Sequence, residues 1–220
     1  MTKKPIDLAG VIEHALLRAD ATVDDVRMAC QEAIRFGFKA VCLNVAHVAA
    51  AAEMLDGKKP FIVAVVGFPL GASQSSIKAF EAKEAINSGA KEIDMVMNIG
   101  ALKSKNYALV FQDIREVVEA VKPVAVKVIL ETCLLSDDEK KIASALAKAA
   151  GALFVKTSTG FGKAGATVSD VRLMREVVGR EFGVKASGGI RTKSDALKMM
   201  EAGADRIGTS SSVTIMEEKS

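Results

Sequence analysis

Short apolar runs alternate with stretches of helical apolar spacing along the whole chain. Four of the runs follow a glycine and a small or apolar residue. Examples are Gly37-Phe38 before AVCLN, Gly89-Ala90 before EIDMVMN, Gly151-Ala152 before LFVKT and Gly203-Ala204 before DRIGT. Glycine just past a helix supplies the left-handed cap, and a short run rich in β-branched residues is typical of a buried strand. The pattern therefore predicts a repeated helix–strand unit.

Helix starts are marked by a hydroxyl residue followed three positions later by an acid, which resembles a capping box. Four such pairs occur: Thr22 and Asp25, Ser136 and Glu139, Thr167 and Asp170, and Thr192 and Asp195. In the helix after Ser136, the spacing places Ile142, Leu146 and Ala149 on one stripe.

The apolar runs predict eight strands, near 11–17, 40–44, 61–67, 91–97, 124–130, 152–156, 184–187 and 205–208. They begin roughly 28 residues apart, which suits strand–loop–helix–loop units with short connections. Strands that alternate with helices imply a parallel sheet. We expect one α/β domain over residues 1–220, a (β/α)₈ TIM barrel, with function at the carboxyl ends of the strands. The alternative is a doubly wound open sheet, but no G-x-G-x-x-G follows the first strand.

Composition excludes several classes of protein. The 220 residues are 50% hydrophobic and 26% charged, and the 30 basic and 27 acidic residues are spread rather than clustered. A nucleic-acid groove or a membrane-surface helix needs a local basic patch, and the longest apolar stretch, residues 61–71, is too short to span a bilayer. We therefore expect neither nucleic acid nor a membrane as a partner.

Three cysteines, Cys30, Cys42 and Cys133, lack CxxC spacing and are odd in number. This indicates a reducing compartment without structural disulfides or a zinc cluster. The first ten residues contain two lysines but no apolar segment behind them, so we expect no secretory signal and a cytoplasmic protein.

Two lysines, Lys156 and Lys185, occupy matching positions of consecutive predicted strands, in VKTS and VKAS. Neighbouring strands lie about 4.8 Å apart, so the two side chains are expected to be neighbours. Desolvation and like-charge repulsion both lower the pKa of a lysine, and a neutral amine is what Schiff-base chemistry needs. The alternative is that each lysine snorkels or pairs with an acid.

Two further charged residues lie in apolar strands. Lys127 stands earlier in its strand and has Glu131 four residues on, which predicts a buried ionic layer rather than a nucleophile. Asp94 requires a cationic partner or a role in proton transfer, because isolated burial of a carboxylate is costly. A purely structural ion pair is the alternative for Asp94.

The loops after the last two strands read Ser187-Gly188-Gly189-Ile190 and Gly208-Thr209-Ser210-Ser211, with Ser158-Thr159-Gly160 one strand away. Small residues let backbone N–H groups approach an anion, and a following helix adds its positive end. Ordinary tight turns are the alternative. Taken with the lysines, the loops predict an enzyme that uses lysine on a phosphorylated carbonyl compound.

Several stretches resemble the deoxyribose-phosphate aldolase family: GFPLGAS from Gly67, EIDMVMNIG from Glu92, KVILETCLL from Lys127, KTSTGFG from Lys156 and VKASGGIR from Val184. The resemblance extends in order from VIEHALL to RIGTSS. It implies a class I aldolase on a (β/α)₈ barrel that reversibly cleaves 2-deoxy-D-ribose 5-phosphate to D-glyceraldehyde 3-phosphate and acetaldehyde, in deoxyribose phosphate catabolism. It also implies a homodimer or homotetramer.

The resemblance implies a role for each site residue. Lys156 matches the Schiff-base lysine, Lys185 the second lysine that lowers the pKa of its neighbour and shares in proton transfer, and Asp94 the proton-relay aspartate. Residues that match the surroundings of the substrate phosphate are Gly160, Gly188, Gly189, Ser210 and Ser211. No cofactor or metal ion is expected, because the protonated imine does the polarising.

The chain departs from the family at several positions. Glu13-His14-Ala15 stands where Asp-His-Thr is usual, and Glu13 is still expected to orient a substrate hydroxyl. Cys42 is expected to border the site, as a small core residue or a reactive thiol. Lys163 is either an ammonium that reaches the phosphate or a solvated surface lysine.

Other positions lack a matching partner. His14 and His47 are isolated in sequence and are expected to pack or cap, and no tyrosine stands near the carboxyl terminus, since the single tyrosine is Tyr107.

Two alternative functions remain at this point. One is a lysine-dependent barrel aldolase that takes a different acceptor sugar. The other is a non-catalytic sugar-phosphate binding protein on a decayed barrel, which is expected to have lost Asp94 or one of the lysines.

Overall fold

A computed structural model describes residues 7–218. Eight strands form in chain order: β1 (Ile12–Leu16), β2 (Ala40–Asn44), β3 (Phe61–Val66), β4 (Glu92–Val96), β5 (Ala125–Ile129), β6 (Phe154–Lys156), β7 (Gly183–Ser187) and β8 (Arg206–Thr209). The α-helices are α1 (Val23–Phe36), α2 (Val48–Met54), α3 (Ser75–Asn87), α4 (Ile99–Lys103), α5 (Tyr107–Val121), α6 (Asp137–Ala149), α7 (Val168–Val178), α8 (Lys193–Ala202) and α9 (Ser212–Glu217).

The eight strands close into a parallel barrel in sequence order. The closing pair is β1 and β8, in which His14 lies opposite Thr209. The predicted (β/α)₈ TIM barrel is confirmed, every predicted strand is present within two residues of its expected bounds, and the open doubly wound sheet is excluded.

Capping at the helix starts follows the predicted motif with one exception. Thr22, Ser136 and Thr192 each form a complete capping box with the acid three residues on. At α7 the Thr167 hydroxyl accepts from the backbone N–H of Asp170, but the Asp170 carboxylate binds Lys140 at 2.6 Å. The fourth box is therefore only half formed, because a cation on α6 competes for the carboxylate.

The predicted stripe on α6 is not its most buried face. Ala149 is exposed and Ile142 and Leu146 are only half-buried, whereas the fully buried face consists of Ala143, Ser144 and Ala147. Small side chains let the helix lie close to the barrel, and the larger apolar residues then pack along its flank.

The interior of the barrel has an apolar part and a charged part. Ala40 and Cys42 of β2 pack with Val63 and Val65 of β3 in a small apolar cluster. The remaining strands contribute charged residues that are fully buried: Glu13, Asp94, Lys127 and Lys185. Burying charges is costly unless they are paired, so the ionic half of the interior indicates a functional region rather than a simple core.

Candidate active site

A cavity of about 550 Å³ opens at the carboxyl ends of the strands. Its walls come from β1, β2 and α1 and from the ends of β6, β7 and β8 with the loops that follow them. Lys156 and Lys185 line it, although their side chains are only 3% and 1% exposed. Both amines therefore face the cavity while remaining almost completely withdrawn from bulk water.

Asp94 joins the two lysines. The register of β6 and β7 places Lys156 directly opposite Lys185, as predicted. Lys156 Nζ donates to Asp94 Oδ2 at 2.9 Å, and Lys185 Nζ donates to the same oxygen at 2.6 Å. One carboxylate oxygen thus lies within proton-transfer distance of two amines.

Two carboxylates stabilise the charge of Lys185. Burial alone would lower the pKa of Lys185, but Asp94 and Glu13 outweigh it, and the pKa is raised. Likewise, burial would raise the pKa of Asp94, but Lys127, Lys156 and Lys185 hold it well below its usual range. At Lys185 the lowering of the pKa by burial and like charge is therefore overcome, and the residue is a cation beside Lys156.

A second ionic layer lies deeper in the barrel. Lys127 Nζ lies 2.9 Å from Asp94 Oδ1 and 2.5 Å from Glu92 Oε2. The buried ionic layer predicted for Lys127 is therefore confirmed, but Glu131 is not its partner. Burial acts to lower the pKa of Lys127, yet Asp94 and Glu13 reverse the effect and raise it.

The expected contact of Glu13 with a substrate hydroxyl requires correction. The Glu13 side chain is completely buried, its carboxylate accepts from Lys185 Nζ, and it is absent from the cavity wall. Although burial would raise the pKa of Glu13, Lys127 and Lys185 lower it. Glu13 therefore supports Lys185 from below instead of reaching the cavity.

Gly208 provides the space for Lys185. A Cβ atom at Gly208 would lie 2.9 Å from Lys185 Cε and 3.0 Å from Ser187 Cβ. Contacts below 3.0 Å require one of the groups to shift, so any larger residue at this position of β8 would displace the lysine.

The five residues predicted around the phosphate all line the cavity: Gly160, Gly188, Gly189, Ser210 and Ser211. Gly188 and Gly189 have φ angles of 83° and 75°, which glycine adopts without strain. The N–H of Ser211 differs from the expectation, because it donates to Thr209 Oγ1 at 2.9 Å rather than facing the cavity.

The ends of β6 and β7 are tied together beneath these loops. Thr157 Oγ1 donates to the carbonyl oxygen of Ser187 at 3.0 Å, and Ser187 Oγ donates to that of Ser158 at 2.5 Å. Gly165 lies so close to Gly188 that a Cβ atom at Gly165 would be 2.1 Å from the Gly188 oxygen. The loop after β6 therefore packs rigidly on the loop after β7.

The three cysteines are free thiols. Cys42 lines the cavity but is buried, and burial raises the pKa of its thiol. A raised pKa disfavours the reactive thiolate, so the structure favours the small core residue over the reactive thiol.

The sequence pointed to Lys163 as a cation for the phosphate, but the cations found along the cavity wall near the loops are arginines. Lys163 is exposed and is not one of the residues that line the cavity, so its contact with a phosphate stays a prediction. Arg191 and Arg18 line the cavity instead, and Arg18 is paired with Asp20 and Asp25. Arg191 was missed by sequence reasoning, although it directly follows Gly188-Gly189-Ile190.

His14 is buried, as expected for a packing histidine, but its hydrogen-bond partners were not predicted. Its Nδ1 lies 2.9 Å from Ser212 Oγ, and its Nε2 lies 2.9 Å from Glu32 Oε2. Burial lowers the pKa of His14 and outweighs the opposing effect of Glu32. His14 lines the cavity and links α1 to α9. His47, in contrast, is half-buried at the start of α2 and makes no side-chain capping bond.

Two absences apply to the part of the chain that the structure describes. Over residues 7–218 no cluster of three or more His, Cys, Asp or Glu side chains is suited to a metal ion. In the same range no helix combines the length and apolar character needed to cross a bilayer. The expected absence of a secretory signal concerns the amino terminus, of which residues 1–6 lie outside the described residues. Lys219 and Ser220 lie outside them as well.

Comparison with known proteins gives one consistent family. A family model described as DeoC/LacD family aldolase matches residues 3–214. A deoxyribose-phosphate aldolase from Aciduliprofundum boonei is 58% identical over 213 residues, covering 96% of each chain. Another from Coprothermobacter proteolyticus is 56% identical over 208 residues, covering 94% of this chain and 95% of its own.

A solved structure shows the same architecture. The tetrameric deoxyribose phosphate aldolase from Aeropyrum pernix has a TM-score of 0.90 and 35% identity, and the alignment covers 96% of this chain and 90% of the other. Because the family model spans the whole barrel and the relatives align over nearly their full lengths, the chain belongs to the DeoC/LacD family of aldolases.

Proposed function

We propose that this protein is a class I aldolase that reversibly cleaves 2-deoxy-D-ribose 5-phosphate to D-glyceraldehyde 3-phosphate and acetaldehyde in deoxyribose phosphate catabolism. The observation that carries the proposal is the pair Lys156 and Lys185, which share one oxygen of Asp94 in a cavity rimmed by small-residue loops. The names of the A. boonei and C. proteolyticus relatives support the choice of substrate.

The reaction begins with Lys156. Its neutral amine adds to C1 of the open-chain sugar, and loss of water leaves a protonated imine. A base then removes the proton of the C3 hydroxyl, the C2–C3 bond breaks, and its electron pair moves to the imine to give an enamine. D-Glyceraldehyde 3-phosphate leaves at this step. Protonation of the enamine at C2 and hydrolysis of the new imine release acetaldehyde and restore the amine.

Asp94 and Lys185 are suited to move these protons. Lys185 keeps its proton at neutral pH because Asp94 and Glu13 raise its pKa, which leaves Lys156 as the cavity amine that acts as nucleophile. Asp94 accepts from both amines through the same oxygen, so it relays a proton between the two with little movement.

The phosphate group is held at the rim. The loops with Gly160, Gly188, Gly189, Ser210 and Ser211 offer backbone N–H groups and hydroxyls, and α8 begins just beyond Arg191. Arg191 adds the full positive charge that the loops lack, and its planar guanidinium suits a phosphate.

Substitution of Arg191 by alanine is expected to raise KM for deoxyribose 5-phosphate about tenfold, as for the loss of ~1–2 kcal/mol from a partly exposed charge-assisted hydrogen bond. Cleavage of unphosphorylated deoxyribose is expected to change little. The measurement is kcat/KM for both sugars at fixed salt. Lys163→Ala is the matched control, since it removes a rim cation outside the cavity wall. A larger loss in the Lys163 variant would transfer the phosphate contact to Lys163.

Turnover separates the proposed function from its two alternatives. The purified protein is expected to release D-glyceraldehyde 3-phosphate from deoxyribose 5-phosphate much faster than it cleaves fructose phosphates. Preference for a fructose phosphate would indicate a lysine-dependent aldolase with another acceptor sugar. Binding of deoxyribose 5-phosphate without any turnover would indicate a sugar-phosphate binding protein, although Lys156, Lys185 and Asp94 are all present.

We also propose that the chain acts as a homo-oligomer, a dimer or a tetramer, in the cytoplasm. The tetrameric A. pernix relative supports the assembly, and the three free thiols agree with a reducing compartment. Light scattering on the purified protein tests the assembly, and a monomeric mass at micromolar concentration would reject it.

A further inference from the structure

Glu131 is a buried carboxylate to which the proposed mechanism assigns no step. Its side chain lies just after β5 and is 4% exposed. The carboxylate accepts from the hydroxyl of Thr159, from the backbone N–H of Thr159 at 3.3 Å, and from Cys133 Sγ at 3.8 Å. No cation among residues 7–218 forms an ion pair with it, so hydrogen bonds alone compensate its charge.

The backbone of Glu131 is strained. Its φ and ψ angles are 56° and 63°, in the left-handed region that favours glycine. Residues on both sides are held to the β6 segment, since the N–H of Leu130 donates to Lys156 O and that of Thr132 to Thr157 O, each at 2.9 Å. Strain of this kind persists where the surroundings impose it, and it concentrates at functional sites.

In the strained conformation, the Glu131 carboxylate lies against the turn that follows Lys156. Because the Thr159 hydroxyl donates its hydrogen bond to Glu131, the Thr159 oxygen accepts in turn from the backbone N–H of Phe161 at 3.0 Å. This chain of bonds closes the turn Thr159–Phe161 around Gly160, whose φ angle is 90°. All three residues of the turn line the cavity.

The Glu131 carboxylate also lies close to the chain that follows the turn. A Cβ atom at Gly162 would lie 3.1 Å from Glu131 Oε1 and 3.0 Å from Cys133 Sγ. The chain after the turn therefore passes directly over the carboxylate, and movement of Glu131 would move the turn.

We propose that Glu131 is a positioning residue that holds the turn Thr159–Phe161 in the shape that binds the substrate phosphate, an inference that rests on the function proposed above. Glu131 touches neither the reacting carbon atoms nor the lysines. It acts through Thr159 on Gly160, and the ligand affected is the phosphate group rather than the sugar aldehyde.

The test compares Glu131→Gln with Thr159→Val. Each variant is expected to raise KM for deoxyribose 5-phosphate about tenfold and to change kcat less than twofold, and kcat/KM for unphosphorylated deoxyribose is expected to stay within twofold. Thr159→Ser keeps the hydroxyl and is expected to restore the wild-type KM. Calorimetric binding of inorganic phosphate is expected to weaken by the same factor in Glu131→Gln and Thr159→Val.

Control variants test whether relief of backbone strain by itself changes activity. Lys105 has a φ angle of 57° and is exposed after α4, so Lys105→Gly relieves a left-handed residue away from the cavity and is expected to leave both sugars unaffected. Glu131→Gly relieves the same strain but removes the carboxylate, and it is expected to behave like Glu131→Gln.

The outcomes distinguish this inference from the proposed function. Equal losses on the two sugars, or unchanged phosphate binding in folded Glu131→Gln, would overturn the positioning role. A wild-type protein that binds inorganic phosphate but does not cleave deoxyribose 5-phosphate would reject the proposed function, while the phosphate-binding comparison would still decide the role of Glu131.

Discussion

Replacement of Lys156 by leucine is expected to lower kcat/KM for deoxyribose 5-phosphate by a factor on the order of 10⁴ or more, because no other route supplies the covalent intermediate. The structure explains why a neighbouring lysine does not substitute for it. Lys185 is held as a cation by Asp94 and Glu13, and Lys127 lies in the deeper layer away from the cavity wall.

Chemical trapping identifies the same residue directly. Acetaldehyde and the amine form an imine with loss of water, and borohydride reduces it to an N-ethyl group. Peptide mapping after this treatment is expected to find the ethyl group on Lys156, and the Lys156→Leu variant is the control that takes up no label at this site. An ethyl group on Lys185 or Lys127, with Lys156 unmodified, would reject the assignment.

Replacement of Lys185 by leucine is expected to lower kcat for deoxyribose 5-phosphate by a factor on the order of 10² or more, because it removes a proton-transfer group. The variant also removes the nearest cation of Glu13 and one of the three lysines that pair with Asp94, and loss of one partner from a buried ion pair costs about 3–5 kcal/mol of stability in comparable sites. Because the pKa of Lys185 is raised in the folded state, the charge of Lys185 stabilises the folded protein fully below the ordinary lysine pKa. This stabilisation is lost as the pH rises through the raised pKa.

Lys78→Leu is the matched control for the Lys185 variant. Lys78 is also fully buried, and its Nζ lies 2.7 Å from Asp113 Oδ2, but this pair joins α3 to α5 outside the barrel. We expect a similar loss of stability, measured by urea unfolding, with kcat within about twofold of wild type. If Lys185→Leu retained full activity between about pH 6 and 9, Lys185 would be structural only.

Local signals predicted the architecture well. The glycine caps, the apolar runs and the capping boxes at Thr22, Ser136 and Thr192 all act between residues a few positions apart. The matching of Lys156 with Lys185 was predictable from local sequence as well, since the two lysines stand in the similar segments VKTS and VKAS, and the register confirms it.

Predictions from local sequence were wrong or incomplete where a residue from another part of the chain supplied the interaction partner. Asp170 was expected to complete a capping box, but Lys140 of the preceding helix takes its carboxylate. His14 was expected only to pack or cap, but Glu32 and Ser212 meet it from two helices. Arg191 lines the cavity and Lys163 does not, although both follow glycines in loops at the carboxyl ends of strands.

Caps and periodicity act within short segments, and they were enough to predict the eight strands, their order in a barrel and the lysines toward the carboxyl ends of two of them. The carboxylates that surround Lys185, the withdrawal of Glu13 from the cavity and the hydrogen bond between Thr159 and Glu131 became visible only in the folded chain. Glu13 and Lys185 are 172 residues apart in the chain, and electrostatic interactions depend on distance in space and on burial, which no local pattern specifies.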